Sequence, residues 1–242
     1  MQPRQKAKTI ELALQGGGAH GAFTWGVLDR LLEHARLDMV GISGTSAGAM
    51  NAVVLADGLC RNGRAGAREA LQTFWRAVSR QAQFSPVGQS PLDILFGPWS
   101  HGANPAHLRV DLWPRMMSPY AMSPLNLNPL RDLLAAQIDF DCLRSSDLPK
   151  LFITATYVRT GKPKVFRRAD LSADAIMASA CLPLVFQAVE IDGEAYWDGC
   201  YMDNPSLFPL VDESDARDLI IVQIDPIQQQ AGRARRATFW SA

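Results

Sequence analysis

The stretch MVGISGTSAGAMNAVVLA, residues 39–56, joins two apolar runs through the pentapeptide GTSAG. The first run is short, as a buried strand is, and the second has the small residues of a closely packed helix. A serine at the centre of G-x-S-x-G, between a strand and a helix, is typical of a sharp turn that exposes its hydroxyl. The stretch therefore predicts an α/β unit with Ser46 as a candidate nucleophile and Gly44 and Gly48 as the glycines of the elbow.

Short apolar runs alternate with helical patterns along most of the chain. TIELAL (9–14), MVGIS (39–43) and LFITATYV (151–158) are predicted strands, and LIIVQI (219–224) is predicted to be a buried strand. The intervening helices have one apolar face of Phe23, Val27, Leu28, Leu31 and Leu32, and another of Leu71, Phe74, Trp75 and Val78. Such strand–turn–helix units predict a three-layer α/β/α fold around a central, mostly parallel sheet.

Three local signals add detail to this fold. LFITATYV, RTGKP and KVFRR form a strand–turn–strand pattern. Ser172 is a plausible N-cap for the helix SADAIMASA, and Asp192-Gly193 predicts a hairpin turn.

Charge and length limit the class of protein. Among 242 residues, 24 Lys and Arg balance 24 Asp and Glu, so the formal net charge is +0. Nucleic-acid-binding domains usually carry a basic surface, and we therefore expect no nucleic-acid partner. The length suits one domain, which we expect at residues 10–225, followed by a basic tail at 226–242.

The cysteines and the hydropathy pattern bear on metals and location. Cys60, Cys142, Cys181 and Cys200 form no C-x-x-C pair and lie near no histidine at ligand spacing, so we expect no metal site and reduced thiols. We find neither a signal peptide nor the roughly 18 consecutive apolar residues of a membrane-spanning helix. The default prediction is a cytoplasmic protein whose membrane contact, if any, is peripheral, and export by a specialised route stays open.

Residues 84–129 differ in composition from the rest. They hold eight of the fifteen prolines together with many apolar side chains. Proline at this density breaks helices and strands, whereas the apolar content exceeds that of ordinary disorder. We interpret the segment as a proline-rich cap over the core or as an irregular segment that is packed against the domain.

The glycine-rich segment GGGAHG, residues 16–21, permits two interpretations. It fits the dinucleotide-binding pattern G-x-G-x-x-G, but its acidic partner would be Asp38, which precedes the second strand instead of ending it. A glycine loop at the start of a helix can also direct bare N–H groups at an oxyanion. We favour the second interpretation, with Gly17 and Gly18 as donors and the N–H of Ala47 as a further one.

A nucleophilic serine needs a partner that accepts its proton. The histidines are His20, His34, His101 and His107, and none follows residue 107, although the α/β-hydrolase order places histidine last. Asp93 with His101 or His107 remains formally possible. Asp198, in YWDGCYMDNP, offers a carboxylate base instead, since it follows an apolar hairpin strand and is ionised at neutral pH.

Four blocks in order, GGGAHG, ISGTSAGAMNA, ASACLPLVF and WDGCYMDNP, resemble the patatin-like phospholipase family over roughly residues 10–225. The resemblance implies a Ser–Asp dyad, with Ser46 as nucleophile and Asp198 as general base, and an oxyanion hole formed by Gly16, Gly17 and Gly18. It implies a phospholipid or other acyl-ester substrate, contact with a lipid interface, and neither metal nor cofactor. From the block ASACLPLVF we assign only packing roles, to Pro183 and Phe186.

The sequence departs from the family pattern at three places. His20 stands where many relatives carry Arg or Lys, and Cys200 stands where Gly or Ala usually follows Asp-Gly. The ending RRATFWSA resembles the start of a further helix, and we expect a short or truncated tail.

Two other functions are compatible with parts of the sequence. GGGAHG alone would suit a nicotinamide- or flavin-dependent oxidoreductase. The ending and Cys200 would suit a non-catalytic protein that binds a lipid surface or a partner. Because both Ser46 and Asp198 are present, the acyl hydrolase is the favoured interpretation.

Overall fold

The structure, a computed structural model, describes residues 7–83, 128–145, 149–183, 186–214 and 216–225. The strands are β1 (Lys8–Leu14), β2 (Leu37–Thr45), β3 (Lys150–Tyr157), β4 (Pro163–Arg167), β5 (Val189–Ile191), β6 (Glu194–Asp198) and β7 (Leu219–Val222). The helices are α1 (Gly21–Leu32), α2 (Ala47–Gln83), α3 (Pro129–Gln137), α4 (Phe140–Ser145), α5 (Ala173–Ser179) and α6 (Phe208–Glu213). Non-helical backbone angles at Asn62 and Gly63 divide α2 into two segments.

The seven strands form one mixed sheet in the order β5-β6-β3-β2-β1-β7, with β4 also paired to β3. β7, β1, β2 and β3 are parallel, because helices connect β1 to β2 and β2 to β3. β4 and β6 run antiparallel to β3, and β5 antiparallel to β6. The α/β class is confirmed, with parallel pairing confined to the four adjacent strands β3, β2, β1 and β7.

Helices pack on both faces of the sheet, but unequally. The larger core joins Leu12, Leu14 and Ile42 of the sheet to helices on one face, including the predicted face of α2. On the other face Leu210 of α6 packs against Ala13 and Phe152. Among the described residues, α6 is the main helical cover of that second face.

The buried face of α1 differs from the predicted one only at Phe23. Phe23 is 61% exposed, whereas Leu28 and Leu32 are buried together with the small residues Gly21 and Thr24. Close packing of α1 on α2 explains the shift, because a Cβ at Gly21 would lie 2.7 Å from the Trp75 ring. Only a glycine lets the two helices approach at this point.

β7 is less buried than predicted. Leu219 and Ile221 are exposed, while Ile220 and Val222 face the larger core. β7 is the last strand on its side of the sheet, and alternate side chains point to the second face, which α6 covers only in part. Its apolar run therefore reflects one buried face instead of two.

The local signals behave as predicted. β3 and β4 are antiparallel around the RTGKP turn. The Ser172 hydroxyl accepts the Ala175 N–H at 3.1 Å as the N-cap of α5. Asp192 and Gly193, both with positive φ, form the turn between β5 and β6.

Two of the four cysteines differ from the prediction that all of the thiols are reduced. Cys60 of α2 and Cys142 of α4 form a disulfide, so the prediction of reduced thiols is wrong for this pair. The bridge joins positions 82 residues apart, a separation that sequence spacing does not reveal. Cys181 and Cys200 are free, as predicted.

Several sequence-based predictions concern residues outside the described ranges. These are the proline-rich segment from 84 to 127, with Asp93, His101 and His107, and the basic tail at 226–242. Within the described ranges, no helix is both long and apolar enough to cross a membrane.

Candidate active site

Ser46 lies on a strained turn between β2 and α2. Its φ is +54°, one of two positive values among the described residues other than glycine, and the residue is 3% exposed. The turn is tight because a Cβ at Gly44 would lie 2.5 Å from the Gly48 carbonyl oxygen, and one at Gly48 would overlap the Leu14 carbonyl. The serine thus stands at the amino end of α2, as its motif predicts, where the helix dipole favours negative charge.

Strand β3 brings Asp198 to Ser46. β2 pairs with β3 up to Thr45 opposite Thr154, and β6 pairs with β3 down to Asp198 opposite Ala155. β4 pairs with the opposite edge of β3 over these positions. β2 and β6 therefore both pair with the same edge of β3, one after the other, and meet end to end. The nucleophile candidate follows Thr45 directly, and the base candidate is the last residue of β6.

The Asp198 carboxylate is buried, with 1% of the residue exposed. Oδ1 accepts the Cys200 N–H at 2.8 Å, whereas Oδ2 has no donor in hydrogen-bonding geometry among the described residues. Burial raises the pKa of Asp198, and the backbone and side chain of Cys200 and the Ser46 hydroxyl partly oppose this. A buried carboxylate with one open oxygen beside a serine hydroxyl is suited to accept its proton.

The glycine loop runs past the same point. A Cβ at Gly16 would lie 2.7 Å from Cys200 Sγ and 2.8 Å from Ser46 Cβ, so only glycine fits here. The Gly16 N–H is already donated to Asn204 Oδ1 at 2.6 Å. Gly17 and Gly18 follow in the turn that leads to α1, and no described residue accepts their N–H groups.

Side chains that sequence analysis did not single out hold these loops together. Ser179 accepts the Ser46 N–H, Asn204 accepts the Gly16 N–H, and Thr156 Oγ1 donates to the Asp198 carbonyl at 2.9 Å. Thr45 Oγ1 donates to the Asp203 carbonyl at 3.0 Å. Ser179 and Asn204 lie in the blocks ASACLPLVF and WDGCYMDNP, and these blocks were the only sequence signal that could have pointed to them. Their hydrogen-bond partners, Ser46 and Gly16, lie 133 and 188 residues away along the chain.

The thiol of Cys200 lies beside Asp198. Burial raises the pKa of this thiol, and the neighbouring carboxylate raises it further. Burial likewise raises the pKa of Cys181 to about 12. Both thiols are therefore protonated at neutral pH, and neither competes with Ser46 as a thiolate nucleophile.

The remaining candidates lie away from this arrangement. Asp38 is at the amino end of β2, opposite Thr9, and therefore at the far end of the strand from the glycine loop. His34 follows the carboxyl end of α1, and His20 is exposed, with Nδ1 at 3.2 Å from the Gly17 carbonyl. The dinucleotide pattern thus lacks its acidic residue in this fold.

The family model described as patatin-like phospholipase matches residues 12–211, and the chain belongs to this family. The crystal structure of VipD from Legionella pneumophila is similar with a TM-score of 0.53 and 16% identity, covering 97% of this chain and 53% of that one. The ExoU–SpcU complex from the type III secretion system of Pseudomonas aeruginosa gives a TM-score of 0.43 and 24% identity, covering 89% and 44%. The chain thus spans about half the length of each structure. The comparison with curated proteins gives no match.

Proposed function

We propose that this protein is a lipid acyl hydrolase in which Ser46 is the nucleophile and Asp198 the general base. The observation that carries the proposal is the end-to-end meeting of β2 and β6 on one edge of β3. Here a serine with positive φ lies beside a buried carboxylate, whose Oδ2 has no donor in hydrogen-bonding geometry within the described part of the chain. Membership of the patatin-like phospholipase family supports the same chemistry.

The proposed reaction has two halves. Asp198 takes the proton of the Ser46 hydroxyl as the Ser46 oxygen attacks the ester carbonyl carbon. The tetrahedral intermediate collapses to an acyl-enzyme, and the leaving alcohol receives that proton from Asp198. Asp198 then takes a proton from water, the hydroxide attacks the acyl carbon, and collapse releases the fatty acid and returns the proton to Ser46.

The negative oxygen of each tetrahedral intermediate needs nearby donors. We assign this role to the N–H groups of Gly17, Gly18 and Ala47, the last at the first position of α2. Gly16 was included from the family resemblance, but its N–H is held by Asn204. We therefore assign Gly16 a spacing role, which its contacts with Ser46 and Cys200 support.

The substrate class follows from the family and from the chemistry of the site. An ester of a fatty acid, such as a phospholipid or lysophospholipid, is the substrate that we propose, with peripheral contact at a lipid interface. The dyad activates its nucleophile with a carboxylate, so the proposed mechanism needs no metal or cofactor.

Hydrolysis assays test this proposal. We expect release of nitrophenol from a series of nitrophenyl acyl esters, and of fatty acid from phosphatidylcholine vesicles, both undiminished by EDTA. The chain-length optimum measures the depth of the acyl-binding cleft. A folded protein that hydrolyses none of these esters contradicts the proposed function, and loss of activity with EDTA contradicts the metal-free mechanism.

Replacing Asn204 tests the assignment of the glycine loop as the source of N–H donors to the oxyanion. Asn204→Ala leaves the buried Gly16 N–H without an acceptor, and the adjoining donors lose their fixed direction. We expect kcat to fall about 10-fold with KM little changed, because the loss falls on the transition state. Asn62→Ala, at the exposed break in α2, is the control and should retain full activity. An unchanged kcat in Asn204→Ala with a lowered Tm would restrict Asn204 to a structural role.

A further inference from the structure

Ser179 is a fully buried residue at the carboxyl end of α5, with 0% exposure. Its hydroxyl accepts the Ser46 N–H at 2.9 Å and donates to the Thr154 carbonyl at 2.6 Å. A single hydroxyl therefore links the nucleophile's own backbone to the central strand β3. Neither hydrogen bond belongs to a regular helix or strand.

Among the described residues, Ser179 is the acceptor that the Ser46 N–H has. The β2–β3 ladder ends one residue earlier, at Thr45 opposite Thr154. The first hydrogen bond of α2 uses the Ser46 carbonyl, which accepts the Met50 N–H at 3.2 Å. The Ser46 N–H lies at the amino end of the helix and therefore has no partner within the helix itself. Because the residue is buried, water does not replace the missing partner without opening the core.

Thr154, the residue to which Ser179 donates, lies next to the residue of β3 that pairs with Asp198. Asp198 pairs with Ala155, the residue after Thr154. The nucleophile is tied to Thr154 through Ser179, and the base is tied to the next residue through the β3–β6 ladder. Consecutive residues of one rigid strand thereby set the separation of the two groups.

We infer that Ser179 is a positioning residue: its hydroxyl holds Ser46 in the left-handed conformation from which the side chain faces Asp198. This inference rests on the proposed dyad and adds a third side chain to it. Both hydrogen bonds of the Ser179 hydroxyl go to backbone groups, and neither goes to the Ser46 hydroxyl. It acts on the Ser46 backbone, whose φ of +54° costs energy unless neighbouring groups hold it.

The test compares Ser179→Ala with Ser172→Ala, since both remove a hydroxyl from α5. Ser172 caps the other end of the helix by accepting the Ala175 N–H, whereas the Ser46 N–H is donated to Ser179. Both substitutions should lower Tm, by about 2–4 °C each. We expect Ser179→Ala to lower kcat by about 10- to 100-fold with KM unchanged, and Ser172→Ala to leave both constants within about 2-fold.

Two further variants separate the hydroxyl from the volume of the side chain. Ser179→Cys keeps a side chain of similar size, but a thiol forms only weak hydrogen bonds. The fall in kcat should therefore be as large as in Ser179→Ala. Ser179→Thr keeps the hydroxyl and should recover most of kcat. Equal losses in Ser179→Ala and Ser172→Ala, or full activity in both Ser179→Ala and Ser179→Cys, would overturn the inference.

Hydrogen exchange of the Ser46 amide provides a readout that does not depend on catalysis. We expect slow exchange in the wild-type protein and at least about 10-fold faster exchange at Ser46 in Ser179→Ala, beyond any change at neighbouring amides of α2. Fast exchange in the wild type overturns the inference without any variant. A wild-type protein that protects this amide but hydrolyses no ester would contradict the proposed function while leaving the backbone link intact.

Discussion

Ser46→Ala is expected to lower ester hydrolysis by at least about 10³-fold, to the limit of detection in the nitrophenyl assay. In the proposed mechanism the hydroxyl oxygen forms the acyl-enzyme, and no other group described at the site would replace it, since the pKa values of Cys181 and Cys200 are raised by burial. The fold should persist, because alanine occupies the same turn and keeps the N–H that Ser179 accepts.

A covalent probe makes the Ser46 experiment specific. A fluorophosphonate should label one serine in the wild-type protein, on the peptide that contains residue 46, and none in Ser46→Ala. Ser145→Ala, on the exposed end of α4, removes a serine elsewhere and should behave as wild type. Labelling of a different serine, or hydrolysis that survives in Ser46→Ala, would show that the nucleophile is misassigned.

Asp198→Asn is expected to lower hydrolysis by about 10³- to 10⁴-fold and to raise stability at neutral pH by about 1 kcal/mol or more. The activity falls because an amide does not accept the serine proton. The stability rises because burial makes the ionised carboxylate unfavourable and raises its pKa, an effect that the hydrogen bonds of Cys200 and Ser46 oppose only in part. Activity and stability should therefore change in opposite directions.

The pH dependence follows from the same raised pKa. The base acts when ionised, so kcat/KM of the wild type should fall as pH drops, with its midpoint above the ordinary aspartate value of about 3.9. A folded-state pKa above the unfolded one means that the folded protein binds the proton more tightly, so this group lowers stability as pH rises through that window. The stability gain of Asp198→Asn should be full above the folded-state pKa and vanish below the unfolded one. Denaturation of both proteins by urea at several pH values measures it, and a variant less stable at pH 7 would contradict the argument.

Local sequence alone predicted the parts of the site that depend on neighbouring residues. G-x-S-x-G between an apolar run and a small-residue run predicted the turn at Ser46, because the crowding of Gly44 against the Gly48 backbone arises within a few residues of the serine. The absence of a late histidine, together with the family resemblance, pointed to Asp198. The strand and helix patterns predicted the α/β class, since each element carries its own hydrophobic period.

Tertiary structure alone decided which groups complete the site and which apolar faces are covered. Asn204 engages the Gly16 N–H across 188 residues, and Ser179 engages the Ser46 N–H across 133, so no spacing rule connects either pair. Phe23 and Ile221 are exposed although their segments are strongly apolar, because burial depends on what packs against a face as well as on its composition. By itself the sequence determined where the chain turns and which residues suit the chemistry. The three-dimensional packing determined which donors and acceptors meet, because hydrogen bonds depend on distance in space and not along the chain.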